Sequence, residues 1–340
     1  MPFDYYQDHF SQLLYKLNML VVHNSFYPIF AFLFGIGLAI MFSNLKKKGL
    51  SPAVVLYRRI IFMLLFGLIH GLLLFDGDIL HTYALLAAVA IPFLFIRKGW
   101  SLGAGLCLFA LNVLALGTTQ LAGSHVETAD GQGTHEGDIT ASVADHDLMS
   151  VIVWNARNFI TEHFPRFIEW YLANFIMMLP FILLGMWFYR FDGINKTRRH
   201  AKVAAVVGAF SLMLGIVIKW TGISDYHDYS ISQYLYVGGS LMAAAYMIGI
   251  ILLAESQGFA RFFNPFKAVG KLAFSNYILQ NVTMFIIFYI CGLYNDLSLL
   301  NLTMVAVGIS IVQVICSNLY LRRYNTGPLE YVWRRLTYWR

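Results

Sequence analysis

Apolar residues run along this chain in nine blocks of near-span length: 20–42, 60–75, 79–96, 102–121, 167–189, 203–220, 234–254, 272–293 and 302–321. Lipid offers no partners for backbone N–H and C=O groups, so a run of about 20 apolar residues crosses it as a helix that satisfies its own backbone. The pattern predicts an all-α, polytopic helical membrane protein with about nine transmembrane helices, forming a single integral membrane domain over residues 1–340. The second and third blocks are short for a span and are expected to tilt, to thin the bilayer or to pack centrally. Long polar sequence is confined to residues 123–165, rich in Gly, Thr, Asp, Glu and His, which predicts a hydrophilic loop. Within it, residues 151–164 suit an interfacial helix carrying Trp154, Phe159 and Ile160.

Composition removes the soluble alternative. With 59% hydrophobic and 12% charged residues, the chain has too little polar surface to cover a water-exposed domain of this size. Charge then gives an orientation. When the nine blocks are read as alternating spans, 20 of the 24 Lys and Arg residues fall on one side, and only Asp192, Glu255 and Glu330 of the 18 acidic residues join them. By the positive-inside bias that side is cytoplasmic. The basic tail 322–340 is then cytoplasmic, and an odd number of spans puts the N-terminus and the 123–165 loop outside. Residues 1–19 have neither a basic n-region nor an A-x-A-like cleavage site, so they do not read as a signal peptide. The basic residues hug span ends, which marks them as topology determinants and contacts to anionic lipid rather than a nucleic-acid surface. Cys107, Cys291 and Cys316 all fall within spans, so no disulfide framework is expected.

Candidate chemistry gathers in the turn between the second and third blocks, His70-Gly-Leu-Leu-Leu-Phe-Asp76-Gly-Asp78-Ile-Leu-His81-Thr-Tyr83. With a turn at Gly77, the helical rise places His70 about 9 Å below Asp76 and His81 about 4 to 5 Å below Asp78, in the outer half of the bilayer. Ionisable groups at that depth are costly unless paired or wetted, so they face a helix interior or a cavity. A neutral His oriented by an Asp accepts a proton from an attacking hydroxyl or amine, which makes His70 and His81 candidate bases and Asp76 and Asp78 their candidate partners. The structural alternative is equally direct: Asp78 is placed to cap the third span, Asp76-Gly77 is ordinary turn chemistry, and His70 need only bond a neighbouring helix. Gly67 and Gly71 flank His70 in a small-xxx-small spacing that favours close helix packing over a lipid-facing position.

Other groupings carry less. Asn276, Tyr277, Gln280 and Asn281 lie on the eighth block, with Asn276 and Gln280 one turn apart, suited to a polar pathway or to interhelical hydrogen bonds. The outer run Asp225-Tyr-His-Asp-Tyr229 reads as a sugar or metal loop or as an aromatic anchor. His125, His135 and His146 lack the tight ligand pair of a zinc site, and no metal is expected. Walker A, G-x-S-x-G and H-E-x-x-H patterns are absent, which leaves nucleotide hydrolysis and zinc proteolysis without support.

The order of motifs is familiar as a whole. Phe26-Tyr-Pro-Ile-Phe-Ala-Phe-Leu-Phe-Gly-Ile-Gly37, Arg58-Arg59, Gly67-Leu-Ile-His70 and Gly77-Asp-Ile-Leu-His-Thr-Tyr83 are followed by Gly270-Lys-Leu-Ala-Phe-Ser-Asn276-Tyr-Ile-Leu-Gln280 and Tyr324-Asn-Thr-Gly327-Pro-Leu-Glu330-Tyr-Val-Trp333-Arg-Arg-Leu-Thr337-Tyr338. This series resembles the YeiB-like family of bacterial membrane proteins, a domain of unknown function, from about Phe26 onward. The resemblance implies a multi-pass protein of the bacterial inner membrane. It also implies a distant relation to transmembrane acyltransferases of the heparan-glucosaminide N-acetyltransferase type, which pass an acyl group from cytoplasmic acyl-CoA to an acceptor across the membrane. Members of the family usually begin with an additional helix bearing an Asp-x-x-Arg-Gly type motif that has no counterpart before Phe26, so the sequence reads as a truncated or divergent member.

Two functions of different class follow. In an acyltransferase, His70 or His81 is the base, Asp76 or Asp78 orients it, and Tyr83, Asn276 and Gln280 line the substrate route. Arg58, Arg59, Arg334 and Arg335 then meet the phosphates of acyl-CoA, a donor substrate rather than a bound cofactor; their alternative role is topology and headgroup contact. In a transporter or lipid-binding protein, the same polar side chains line a path without chemistry. The lipid bilayer is the expected partner, nucleic acid is not, and the sequence leaves oligomeric state open.

Overall fold

A computed structural model describes residues 8–121, 148–163, 167–224, 231–294 and 297–338. In chain order its α-helices are α1 (His9–Val21), α2 (Phe26–Lys47), α3 (Pro52–Leu73), α4 (Leu80–Ala90), α5 (Lys98–Leu121), α6 (Leu148–His163), α7 (Phe167–Arg190) and α8 (Gly193–Arg199). There follow α9 (Ala201–Ser224), α10 (Ile231–Leu253), α11 (Gln257–Phe263), α12 (Phe266–Lys271), α13 (Ala273–Phe285), α14 (Leu299–Leu321) and α15 (Pro328–Tyr338). A 3₁₀ turn, Ile91–Leu94, prolongs α4, and a π-helical turn, Ile286–Ile290, prolongs α13. No strand occurs among the described residues. The protein is an all-α, multi-pass membrane protein: eight helical segments are long and apolar enough to span, and the ninth apolar block is the shorter Leu80–Leu94. The predicted sugar or metal loop, Asp225 to Tyr229, and the three loop histidines His125, His135 and His146 lie outside the described residues.

The first block departs from its predicted form. Residues 9–21, expected as a short tail, form α1, whose N-cap Asp8 accepts a hydrogen bond from the Ser11 N–H (2.7 Å). The chain then turns at Asn24, at φ +55°, before α2 begins. Lys219 of α9, fully buried, holds that turn: its ammonium donates to the carbonyls of Leu20 (2.9 Å) and His23 (2.6 Å) and to Ser25 Oγ (3.0 Å). Three acceptors use all three ammonium protons, which makes burial of a cation tolerable.

The chain divides into two compact units. The first draws on Met1–Leu56, Leu86–Val126 and Leu172–Ala260. In it α9 packs along α10, and α2 meets α7 backbone to backbone, with Gly35 against the Ile182 carbonyl and Gly185 against that of Phe32. Neither glycine has room for a Cβ. Pro180 lies inside α7 and lacks the N–H that would bond the Ile176 carbonyl one turn back. Tyr236 bonds the Met177 carbonyl (3.1 Å) and Asn112 reaches that of Ile176 at 3.5 Å, so neighbouring side chains serve backbone that lipid cannot.

The second unit draws on Tyr57–Leu85, Glu127–Tyr171 and Arg261–Arg340. The predicted basic tail contains α15, which returns onto this unit. Glu330 in its first turn accepts from the free N–H groups of Phe274 (2.8 Å) and Ser275 (2.9 Å) and from the Ser275 hydroxyl, so it caps α13 from a distant point in sequence. Trp333 packs on Phe274, donates to the Arg59 carbonyl (3.1 Å) and lies under the Arg59 guanidinium at 3.6 Å. Along α14, Met304, Val307, Ile311, Ile315 and Leu319 are each more than half exposed, an apolar stripe that suits contact with lipid.

Candidate functional site

The hairpin between α3 and α4 builds one compact polar hub within the second unit. Gly67 permits it: a Cβ there would strike the His81 backbone and come within 2.8 Å of Asp78 Oδ2, so the helices approach at closest range one turn before His70. Gly71, one turn on, lies flat against the Phe159 ring of α6. His70 is thereby held inward at 3% exposure.

Asp78 is the centre. Its Oδ1 bonds His70 Nδ1 (2.8 Å) and accepts from the Tyr277 hydroxyl (3.1 Å); its Oδ2 bonds His81 Nδ1 (2.9 Å) and accepts from the His81 backbone N–H (3.0 Å), capping α4. The structural and chemical readings of Asp78 thus coincide in one side chain. A carboxylate taking four hydrogen bonds is suited to the ionised form, and it selects the imidazole tautomer with hydrogen on Nδ1. That tautomer leaves Nε2 as the acceptor. His70 Nε2 is buried and has no hydrogen-bond partner among the described residues. His81 is fully buried, its Nε2 is 3.4 Å from Thr82 Oγ1, and the rings of Phe159 and Tyr171 meet it edge-on at centroid distances of 5.2 and 6.1 Å.

Asp76 is the other candidate partner, and the hub does not use it. Both imidazole Nδ1 atoms turn to Asp78, while Asp76 belongs to the turn: its Oδ1 accepts from the Gly77 N–H (3.0 Å) and its own N–H donates to Asn155 Oδ1 (2.9 Å). The reason is helix registry. Asp78 is the residue whose side chain reaches both the first turn of α4 and the last turn of α3. Asn155 completes the fixing, since its Nδ2 donates to the Gly71 (2.8 Å) and Leu72 (3.1 Å) carbonyls and so serves the C-terminal end of α3.

The remaining candidates separate. Tyr83 is buried in α4. Asn276 is engaged between helices, bonding Ser317 Oγ (2.9 Å) while its carbonyl accepts from Gln313 (2.9 Å), and Gln280 is exposed. The face of α13 that meets the hub is that of Tyr277, whose ring lies 5.2 Å from His70. Arg59 is stacked on Trp333, Arg58 is half-buried, and Arg334 and Arg335 are exposed on α15. From Arg59 to His70 the rise along α3 is about 16 Å, so arginines and imidazoles form two places rather than one. Sequence reasoning missed Asn155 and the role of Tyr277. The signal for Asn155 is an amide between apolar residues of a predicted interfacial helix; Tyr277 is visible only as one of four polar neighbours.

Among known proteins, residues 188–340 match the family model described as a protein of unknown function, DUF418. The chain is 28% identical over 329 residues to the uncharacterized protein YxaH of Bacillus subtilis (strain 168), covering 91% of this chain and 78% of that one. It is 25% identical over 339 residues to the uncharacterized protein YeiB of Escherichia coli (strain K12), covering 94% and 83%. An uncharacterized 39.9 kDa protein from the amylase 3′ region of Bacillus acidopullulyticus is 25% identical over 336 residues, covering 93% and 81%. No solved structure matches the chain. The matched C-terminal region contributes Tyr277, Glu330 and Trp333, and the similarity to YeiB and YxaH extends over more than nine-tenths of the sequence, so the chain carries this domain of unknown function in its C-terminal part and is similar to YeiB and YxaH nearly throughout.

Proposed function

We propose that this protein is an acyltransferase of the bacterial inner membrane, taking an acyl group from cytoplasmic acyl-CoA and giving it to a hydroxyl or amine acceptor on the outer side. The observation that carries the reading is the buried Nε2 of His70, without a hydrogen-bond partner among the described residues, behind an aspartate-held Nδ1–H. In the proposed step the acceptor O–H or N–H gives its proton to His70 Nε2 as its O or N attacks the thioester carbonyl carbon. The C–S bond then breaks, and the leaving thiolate takes the proton from the imidazolium. Asp78 acts through His70, fixing its tautomer and balancing the positive charge that forms. Arg58 and Arg59, with Arg334 and Arg335, are the proposed contacts for the donor's phosphates, and the pantetheine arm of acyl-CoA has to bridge the rise of about 16 Å from Arg59 to the hub.

A transporter or lipid-binding reading is favoured by a different observation, the near-complete closure of His70 and His81 to solvent, which suits proton uptake during a conformational cycle. Free-thiol release from acyl-CoA by the purified protein, with an added acceptor, separates the two. Acyl transfer predicts turnover in the wild type and a loss of about a hundredfold or more in His70→Ala. Turnover that is unchanged in both His70→Ala and His81→Ala, with both variants folded, overturns the assignment of the base.

A further inference from the structure

A second site lies elsewhere in the same unit. Where the short helix α12 meets the end of α14, a cavity of about 390 Å³ is lined by Lys267, Lys271, Arg322, Asn264 and Asn318 above Ala268 and Leu321. Three cations surround it and no carboxylate lines it. None of the three is ion-paired among the described residues, and all are exposed. Its walls are fixed: Asn318 Nδ2 donates to the carbonyls of Pro265 (2.9 Å) and Val314 (2.7 Å), tying the start of α12 to α14, and Ala268 is buried beneath. Cations gathered around a fixed concavity repel one another unless an anion enters, and a phosphate group offers each of them an oxygen.

The neighbouring surface says what carries the phosphate. Phe262, Phe263 and Phe266 pack on one another beside the cavity, with ring centroids 5.0, 5.7 and 6.5 Å apart, and stay 68%, 40% and 48% exposed. Exposed apolar rings beside lysines at the end of a span suit the boundary where the rings enter lipid tails and the lysines reach headgroups. We infer that the cavity formed by Lys267, Lys271 and Arg322 binds the phosphate of an anionic phospholipid headgroup, with the Phe262–Phe266 cluster set against its acyl chains. This site shares no residue with the His70 hub and stands whether or not acyl transfer occurs.

The test is native mass spectrometry of the full chain in detergent, titrated separately with phosphatidylglycerol, phosphatidylcholine and inorganic phosphate. The K267Q/K271Q/R322Q variant is compared with K46Q/K47Q/K48Q, which removes equal charge elsewhere. The expected result is a first phosphatidylglycerol bound about tenfold or more tightly by wild type and by the Lys46–Lys48 variant than by the cavity variant, with no such difference for phosphatidylcholine. Inorganic phosphate that binds alone with the same dependence on the three cations would keep the phosphate site and replace the lipid as its source. Equal lipid binding by wild type and cavity variant, or equal loss in both variants, overturns the proposal. A thermal melt of each variant matching wild type excludes misfolding as the cause.

Discussion

At Asp78 one carboxylate serves two imidazoles, a tyrosine hydroxyl and the first turn of a helix. Removing its charge leaves buried donors without an ionised acceptor, whereas the same change at half-buried Asp76 touches a turn. Asp78→Asn is therefore expected to lower stability by about 3 kcal/mol or more, and Asp76→Asn by about 0.5 kcal/mol or less. Thermal melts of the two variants in one detergent read the difference, and equal losses would contradict the hub. The sequence separates their structural roles, Asp78 as cap of the third span and Asp76 in the turn, but leaves both as candidate partners of the imidazoles, because the side-chain contacts across the hairpin depend on a helix start that apolar periodicity locates only within a few residues. Lys219 is hidden for another reason: a lone lysine near a span end reads as one reaching toward water, and its carbonyl partners Leu20 and His23 lie almost 200 residues earlier.

Helices are largely legible because lipid makes length and apolarity sufficient conditions for a span, and each predicted block coincides with an observed helical segment. What pattern does not show is how their ends are satisfied. The helix in the basic tail is an instance, since Glu330 reads as an ordinary first-turn acid of α15, yet it spends its oxygens on the N-terminus of α13. Truncating it should cost about 1 kcal/mol, the usual worth of a cap. Glu330→Ala is accordingly expected to speed hydrogen exchange at the Phe274 and Ser275 amides while leaving mid-helix amides of α14 unchanged. Protection retained at both amides would mean that α13 does not depend on this cap. The break between α1 and α2 is only partly local, because the turn at Asn24 joins short-range bonds such as Ser25 N–H to the Val22 carbonyl (3.1 Å) with those that Lys219 brings from α9.

On the scale of the whole molecule, function depends on which face meets the cytosol. Basic residues crowd one set of span ends, giving net charges of +17 and −11 on the two sides of the alternating reading. Along α3 the same polarity appears in one helix, with Arg58 and Arg59 near its start and His70 near its end. In the proposed acyl transfer, an acceptor arriving from outside can reach the hub only if the arginine end points inward, and the phosphate-bearing donor requires the same. A topology reporter that is active only outside the cytoplasm, fused once after Gly133 and once after Arg340, measures this directly. Activity from the Gly133 fusion with none from the Arg340 fusion is the predicted result; activity from the Arg340 fusion alone would place the imidazoles on the cytoplasmic side and contradict the account.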